Sequence, residues 1–101
     1  MYYDLGETVE TGVISTYGLS QNYPNPFNPV TVINWQMPVS SHVTLKIYDL
    51  LGKEVAIFVN GEKPAGSYET EFNAASPPSG TYFYTIQTGI FVQTKKMSLL
   101  K

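Results

Sequence analysis

The single histidine is the first residue to examine for chemistry, because histidine is the commonest general base and a frequent metal ligand. His42 comes directly after Ser40 and Ser41. Serines that are merely adjacent along the chain are not thereby positioned as nucleophiles for this base, and no cysteine or acidic residue next to His42 completes a metal site. We therefore expect His42 to be an exposed loop residue without a catalytic or metal-binding role.

Paired carboxylates are the next candidates, since glycosidase chemistry needs two acidic side chains that face one cleft. Glu69 and Glu71 share one face of a predicted strand, and we expect that face to be the solvent face. Asp49 is explained by a turn, and no loop has the Asp- and Asn-rich spacing of a calcium site. The sequence thus predicts a domain that is not an enzyme and that uses no cofactor or metal.

Composition and charge exclude further classes of function. The 101 residues include 6 Lys+Arg, all of them lysine, and 8 Asp+Glu, which gives a net charge of −2. Nucleic acid is not an expected partner, because its binding needs a clustered basic face. The absence of cysteine excludes disulfides and a cysteine nucleophile. No apolar run is long enough for a membrane span, and the length suits one domain.

Exposed aromatic rings would provide a platform for sugars, and aromatic residues make up 14% of this chain. Trp35, Tyr82 and Tyr84 fall on strand faces that the alternation assigns to the interior, so we expect them to pack in the core. Tyr82, near the start of its strand, is also placed to make a tyrosine-corner hydrogen bond.

Apolar and polar residues alternate with period two, which identifies the strands that position these side chains. The predicted strands cover residues 31–37, 43–48, 53–59, 67–72, 81–88 and 91–100, and the second and third of them form a hairpin. Residues rich in glycine, proline and serine separate the strands, with a turn predicted at 39–42 and loops at 60–66 and 73–80.

Turn chemistry and strand number complete the predicted fold. Asp49 and Gly52 hold the first and fourth positions of a predicted type I turn, while Gly80 and Gly89 are turn glycines. A seventh strand would come from residues 9–30, and residues 1–16 are predicted to be a linker or an edge strand. The pattern favours an all-β, immunoglobulin-like Greek-key β-sandwich of about seven strands.

The stretch YPNPFNP places three prolines within seven residues, so it cannot lie in a helix interior or a central strand. We expect Asn25 and Asn28 to form Asx turns, and Tyr23 and Phe27 to anchor the segment against the sandwich and limit pairing at a sheet edge. The stretch consists of Tyr23, Pro24, Asn25, Pro26, Phe27, Asn28 and Pro29.

Five segments resemble, in order and spacing, the type A C-terminal sorting domain of the type IX (Por) secretion system, an immunoglobulin-like family. The first carries YPNPFNP and a strand that ends at Met37 and Pro38, and the second carries the Tyr-Asp-x-x-Gly turn at residues 48–52. The end of the third segment, Phe72-Asn73-Ala74, departs from the family pattern. The segments are residues 19–38, 43–59, 65–74, 79–89 and 91–101, so the resemblance covers about residues 17–101.

The resemblance implies a secretion signal at the C-terminus of an exported protein, with residues 17–101 as the sorting domain. Such a domain is recognised by the type IX translocon after an upstream cargo in the same chain has reached the periplasm. A sortase-like surface protease then often removes the domain, and the cargo reaches the cell surface or the medium. The chain ends in KKMSLLK, as the family does.

Family likeness also points to the last strand and its terminal basic residues as the recognised part. The candidate residues are Lys95, Lys96, Met97, Leu99, Leu100 and Lys101. Loss of the last strand would also remove core side chains, so a structural role stays open beside a recognition role. The same holds for YPNPFNP, which is either read directly or only structural.

Two other functions remain open at this point. One is an adhesive or carbohydrate-binding immunoglobulin-like module that stays on the mature protein, which exposed coplanar aromatic rings would favour. The other is a structural domain like that of flagellar hook-capping proteins, which resembles the sorting domains in its strand motifs. The sequence leaves the oligomeric state, the cargo and the cleavage position open.

Overall fold

Seven antiparallel strands form two sheets in the computed structural model, which describes residues 14–101. The strands are β1 (Gly18–Leu19), β2 (Val30–Met37), β3 (Ser41–Asp49), β4 (Glu54–Lys63), β5 (Gly66–Asn73), β6 (Gly80–Thr88) and β7 (Phe91–Leu99). The described part of the chain has no helix, so the predicted all-β class is confirmed. The predicted linker or edge strand falls mostly outside the described residues, and residues 14–16 are not in a strand.

Sheet topology is that of an immunoglobulin-like sandwich. One sheet has the order β1-β2-β5, and the other has the order β4-β3-β6-β7. The fourth strand therefore joins the sheet that holds the third, sixth and seventh strands, and the chain crosses between the sheets after β2, β4 and β5. β1 lies within the range from which a seventh strand is expected.

The core lies between the two sheets, and most of its residues alternate with outward-facing ones along β2, β3 and β6, as the sequence predicts. Trp35 is buried and stacks on Tyr68 with ring centroids 4.4 Å apart, and its Nε1 donates to Thr70 Oγ1 at 3.0 Å. The core consists of Leu19, Phe27, Ile33, Trp35, Met37, Val43, Leu45, Ile47, Phe72, Ala74, Tyr82, Tyr84, Ile86, Met97 and Leu99. Trp35, Tyr82 and Tyr84 are thus used for packing in the core, as the sequence predicts.

The β3–β4 hairpin extends further than the sequence pattern indicates. The predicted loop at 60–66 is wrong in its first half, because Gly61 and Glu62 pair with Val43 and His42 and β4 continues to Lys63. The predicted turn at 39–42 is likewise too long, since β3 begins at Ser41. Proline has no backbone N–H for the ladder, and Pro64 follows directly after β4.

Glycines at two turns have backbone conformations that favour glycine. Gly52 has φ of 85° and its N–H donates to Asp49 O at 3.0 Å, which closes the β3–β4 turn. Gly89 has φ of 57° in the β6–β7 turn. Gly80 differs from its predicted place in a turn, because it is the first residue of β6 and pairs with Leu99.

The two ends of the sandwich carry different parts of the chain. At the proximal end, Tyr17 stacks on Phe91 with ring centroids 4.9 Å apart, next to the β6–β7 turn. At the distal end lie the β3–β4 turn and residues 99–101, because Asp49 pairs with Tyr82 and Gly80 pairs with Leu99. The chain therefore joins the sandwich at one end, and β7 carries it to the other.

Candidate recognition site: the last strand and the strap along its edge

β7 has one edge paired with β6 and one edge that faces away from the sheet. The β6–β7 ladder runs from Thr88↔Phe91 to Gly80↔Leu99. On the other edge, the backbone groups of Lys96, Ser98 and Leu100 point outward. An unpaired strand edge is a site for pairing with another chain, so proteins usually cover it.

Residues 21–29, which we call the strap, cover the second half of this edge. Gln21 Nε2 donates to Lys96 O at 2.7 Å, and Asn25 Oδ1 accepts from Ser98 N at 3.0 Å. Phe27 N donates to Ser98 O at 2.9 Å and Phe27 O accepts from Leu100 N at 2.9 Å, which makes a parallel bridge to the last strand. The strap therefore takes the place of a neighbouring strand beside residues 96–100, and its effect of limiting edge pairing stays a prediction.

The strap is anchored by one aromatic ring and by its backbone. Phe27 is only 2% exposed, and its ring centroid lies 5.8 Å from that of Phe72. The Tyr23 ring is 80% exposed, so its predicted role as an anchor is wrong; its backbone instead exchanges two hydrogen bonds with Val32, at 2.9 and 3.0 Å. The expected Asx turn at Asn25 is also wrong, because its side-chain oxygen accepts from the distant Ser98.

A buried polar network joins the strap to both sheets. The Tyr84 hydroxyl on β6 donates to Ser20 O at 2.7 Å and accepts from Asn22 N at 2.8 Å. Asn22 Nδ2 donates to Thr31 Oγ1 on β2 at 3.0 Å, and Thr31 Oγ1 donates to Pro24 O at 2.9 Å. Asn22 and Thr31 are buried polar residues for which the sequence predicts no such role. Thr31 alternates in phase with the apolar residues of β2, and this spacing is the one sequence signal that predicts its burial.

Burial raises the pKa of Tyr84 to about 12 from its ordinary value of 10.0, and the hydrogen bond from Asn22 lowers it only in part. Between these two values the folded chain keeps a proton that the unfolded chain loses. Stability from this group is therefore complete below pH 10 and falls as the pH rises towards 12.

We predict that Tyr84→Phe lowers the free energy of unfolding at pH 7 by about 1–3 kcal/mol, because it leaves the Asn22 N–H and the Ser20 carbonyl without their partner. The free energy of unfolding of the variant should also fall less steeply above pH 10, because one titrating group contributes a slope of at most about 1.4 kcal/mol per pH unit. Urea unfolding from pH 7 to 11.5 measures both effects. Burial, and then Asp49, also raise the pKa of Tyr82. The dependence of the unfolding free energy on pH should therefore become weaker in the variant without vanishing.

Tyr23→Phe is the matched control, since it removes a hydroxyl from an exposed ring of the same strap. It should unfold like the wild type at every pH. Equal unfolding curves for Tyr84→Phe and Tyr23→Phe would contradict the assigned network.

The strap and the last strand lie at the two ends of the segment that a known family model matches. The family model of the secretion system C-terminal sorting domain matches residues 21–99, from the first residue of the strap to the last residue of β7. The chain belongs to this family. The resemblance to the type IX sorting domains is thereby confirmed. No curated protein matches the chain.

In this sorting domain, the candidate recognition residues do not form one patch. Lys95 and Lys96 lie opposite Tyr84 and Phe83, so their side chains leave opposite faces of the sheet. Met97 and Leu99 are fully buried in the core, whereas Leu100 is exposed. Lys101 turns back to the loop before β6, where its Nζ donates to Ala75 O at 2.7 Å.

The remaining residues that the sequence singles out lie on the surface or make structural hydrogen bonds. His42 is exposed, but it lies in β3 and not in a loop, with Nε2 3.0 Å from Asn60 Oδ1. Glu69 and Glu71 are exposed, as predicted. Tyr82 makes the predicted tyrosine-corner bond, donating to Pro78 O at 2.6 Å.

Side chains that could ligate a metal are dispersed across residues 14–101. Within that range, no three His, Cys, Asp or Glu side chains come together where they would hold a metal ion. Nor does that range contain a helix with the length and apolar character needed to cross a membrane.

Proposed function

We propose that this domain is a non-catalytic secretion signal that sends an upstream cargo in the same chain across the outer membrane through the type IX translocon. The family match carries the proposal. The hydrogen bonds between the strap and the last strand, which lie at the two ends of the matched segment, support it because they join those ends in one folded unit. On this proposal the protein passes through the periplasm and arrives at the cell surface or in the medium. A sortase-like surface protease is the second expected partner.

The exposed side of the last strand is the proposed contact for the translocon. Lys96, Leu100 and Lys101 are exposed, and Lys95, on the opposite face from Lys96, is partly exposed. Met97 and Leu99 are buried and so are not accessible to a partner while the domain stays folded. They contribute indirectly, by holding the last strand against the core. The strap contributes in the same indirect way, through the hydrogen bonds that keep residues 96–100 in place.

The site geometry supports a binding role in preference to an enzymatic one. Asp49 accepts backbone hydrogen bonds in a turn, Glu54 pairs with Lys46 at 3.5 Å, and His42 faces solvent beside Asn60. None of these groups is arranged with a nucleophile in a shared cleft. On this proposal, any enzymatic activity belongs to the cargo.

Secretion of a reporter tests the proposal. The whole chain is fused behind a signal peptide and a folded fluorescent protein, in a bacterium that has a type IX system. We expect fluorescence on the surface or in the medium of the normal strain, and in the periplasm of a strain without the translocon. Fluorescence that stays in the periplasm of the normal strain would contradict the sorting role.

A further inference from the structure

Three large leucine side chains are exposed at the distal end of the sandwich. Leu50 is 67% exposed, Leu51 is 94% exposed and Leu100 is 56% exposed. Single exposed leucines are ordinary, but here three lie at the same end, Leu50 and Leu51 beside one edge of β6 and Leu100 beside the other, and the core uses none of them. With Lys53 and Lys101 beside them, they make up what we call the distal patch.

Strand register brings these residues to one end. Asp49, at the end of β3, lies opposite Tyr82, which lies opposite Met97 on β7. Leu50 and Leu51 continue past the first of these residues and Leu100 continues past the last. One strand separates β3 from β7, so the two groups of leucines are about two strand spacings, or roughly 10 Å, apart across the sheet.

The patch is held on a fixed backbone. Asp49 Oδ1 accepts from Leu51 N at 3.0 Å and from Lys53 N at 2.9 Å, and Asp49 N donates to Lys53 O at 2.9 Å. Leu100 N donates to Phe27 O of the strap at 2.9 Å. Because the backbone that carries the leucines is already ordered, a partner loses little conformational entropy in holding it.

Two lysines flank the leucines. Lys53 and Lys101 are exposed and neither forms an ion pair with a described residue, although Lys101 Nζ donates to Ala75 O at 2.7 Å. Asp49 carries a carboxylate next to Leu50, where it accepts two backbone hydrogen bonds in the turn, and Glu54 pairs with Lys46, so the two lysines outnumber the one carboxylate that has no lysine partner. A partner with carboxylates around an apolar groove would therefore complement this end of the domain.

The location leaves the patch free while cargo is attached. Tyr17, close to the first described residue, lies at the proximal end, stacked on Phe91. The distal patch lies at the other end of β7, so a cargo joined through Tyr17 does not have to cover it.

We propose that the distal patch docks into the translocon, in an apolar groove bordered by carboxylates on a translocon protein. This inference rests on the proposed sorting function and extends the contact proposed for the last strand to the β3–β4 turn. A protein groove suits the patch better than a lipid surface does, because the domain has a net charge of −2 and the patch has only two lysines to attract anionic lipids.

Substitution at the two ends of the sandwich tests this proposal. Leu50→Ser together with Leu51→Ser removes the apolar tip, while Val39→Ser with Ile90→Ser removes exposed apolar side chains (53% and 98% exposed) at the proximal end. Both pairs are made in the secretion reporter, and thermal melts check that each variant folds. Lys53→Glu, a single exposed change, is a second probe that does not depend on the leucine pair.

We expect the distal pair to reduce export roughly tenfold, equivalent to about 1.4 kcal/mol of binding. Lys53→Glu should reduce export in the same direction, and the proximal pair should export like the wild type. A wild-type reporter that is not exported contradicts the sorting function itself. Wild-type export that the distal pair leaves unchanged overturns only the docking assignment.

Flotation with vesicles of phosphatidylethanolamine and phosphatidylglycerol separates the lipid alternative. We expect no flotation of the purified chain. Flotation that the wild type shows and the distal pair loses would overturn the protein groove in favour of a membrane surface.

Discussion

Phe27→Ala is expected to lower the free energy of unfolding by about 3–5 kcal/mol, a large part of the roughly 5–15 kcal/mol that stabilises a domain of this size. The ring is almost completely buried against Phe72, and the same residue makes the two backbone hydrogen bonds to Ser98 and Leu100. A cavity under the strap should therefore loosen the end of the last strand as well. Thermal melting should show a fall in Tm of more than about 10 °C.

Tyr23→Ala provides the matched control within the strap. Its ring is exposed and its contacts are made by the backbone, so the change should stay within about 0.5 kcal/mol of the wild type. Amide hydrogen exchange adds a local measurement, because the N–H groups of Ser98 and Leu100 donate to the strap. Faster exchange at both amides is expected for Phe27→Ala only. Equal stability of the two variants would contradict the anchoring role of Phe27.

Deletion of residues 97–101 is expected to unfold the domain. It removes the fully buried Met97 and Leu99, and each large apolar side chain lost from a core costs about 2–5 kcal/mol. It also removes Ser98 and Leu100, the partners of the strap. Far-UV circular dichroism and urea unfolding should show that no cooperative transition remains.

Replacement of Lys95, Lys96 and Lys101 by glutamine separates recognition from folding. These side chains are outside the core, so the triple variant should melt close to the wild type. Under the proposed recognition, exposed charge pairs worth about 0.2–1 kcal/mol each would be lost, and export should fall by roughly tenfold. A folded triple variant that exports normally would rule out the lysines as contacts.

For the deletion of residues 97–101, a truncated chain that remains cooperatively folded would contradict the packing of β7.

The sequence predicts the sheets well because burial repeats with period two. The inward positions of Ile33, Trp35 and Met37 and those of Val43 and Leu45 follow from this alternation alone, and the structure confirms them. The end of β4 is less predictable, since Gly61 resembles a breaker until its pairing with Val43 is known. Partners across a hairpin decide such cases, and composition does not.

The contact between strap and last strand has no comparable sequence signal. Asn25 and Ser98 are 73 residues apart, and their hydrogen bond joins a side chain to a backbone group that every strand possesses. The local rule for Asn before Pro favours an Asx turn, and the tertiary contact overrides it. Tyr23 and Phe27 are also equivalent as aromatic residues in the sequence. Only the fold shows that one ring is exposed and the other is buried.

The central claim is that this folded domain carries a cargo out through the type IX translocon. Its most direct test is the fraction of the fluorescent reporter found outside the cell, compared between the normal strain and the strain without the translocon. We predict an extracellular or surface-bound reporter in the first strain and a periplasmic reporter in the second. A reporter that stays in the periplasm of both strains, with the domain folded, would contradict the account.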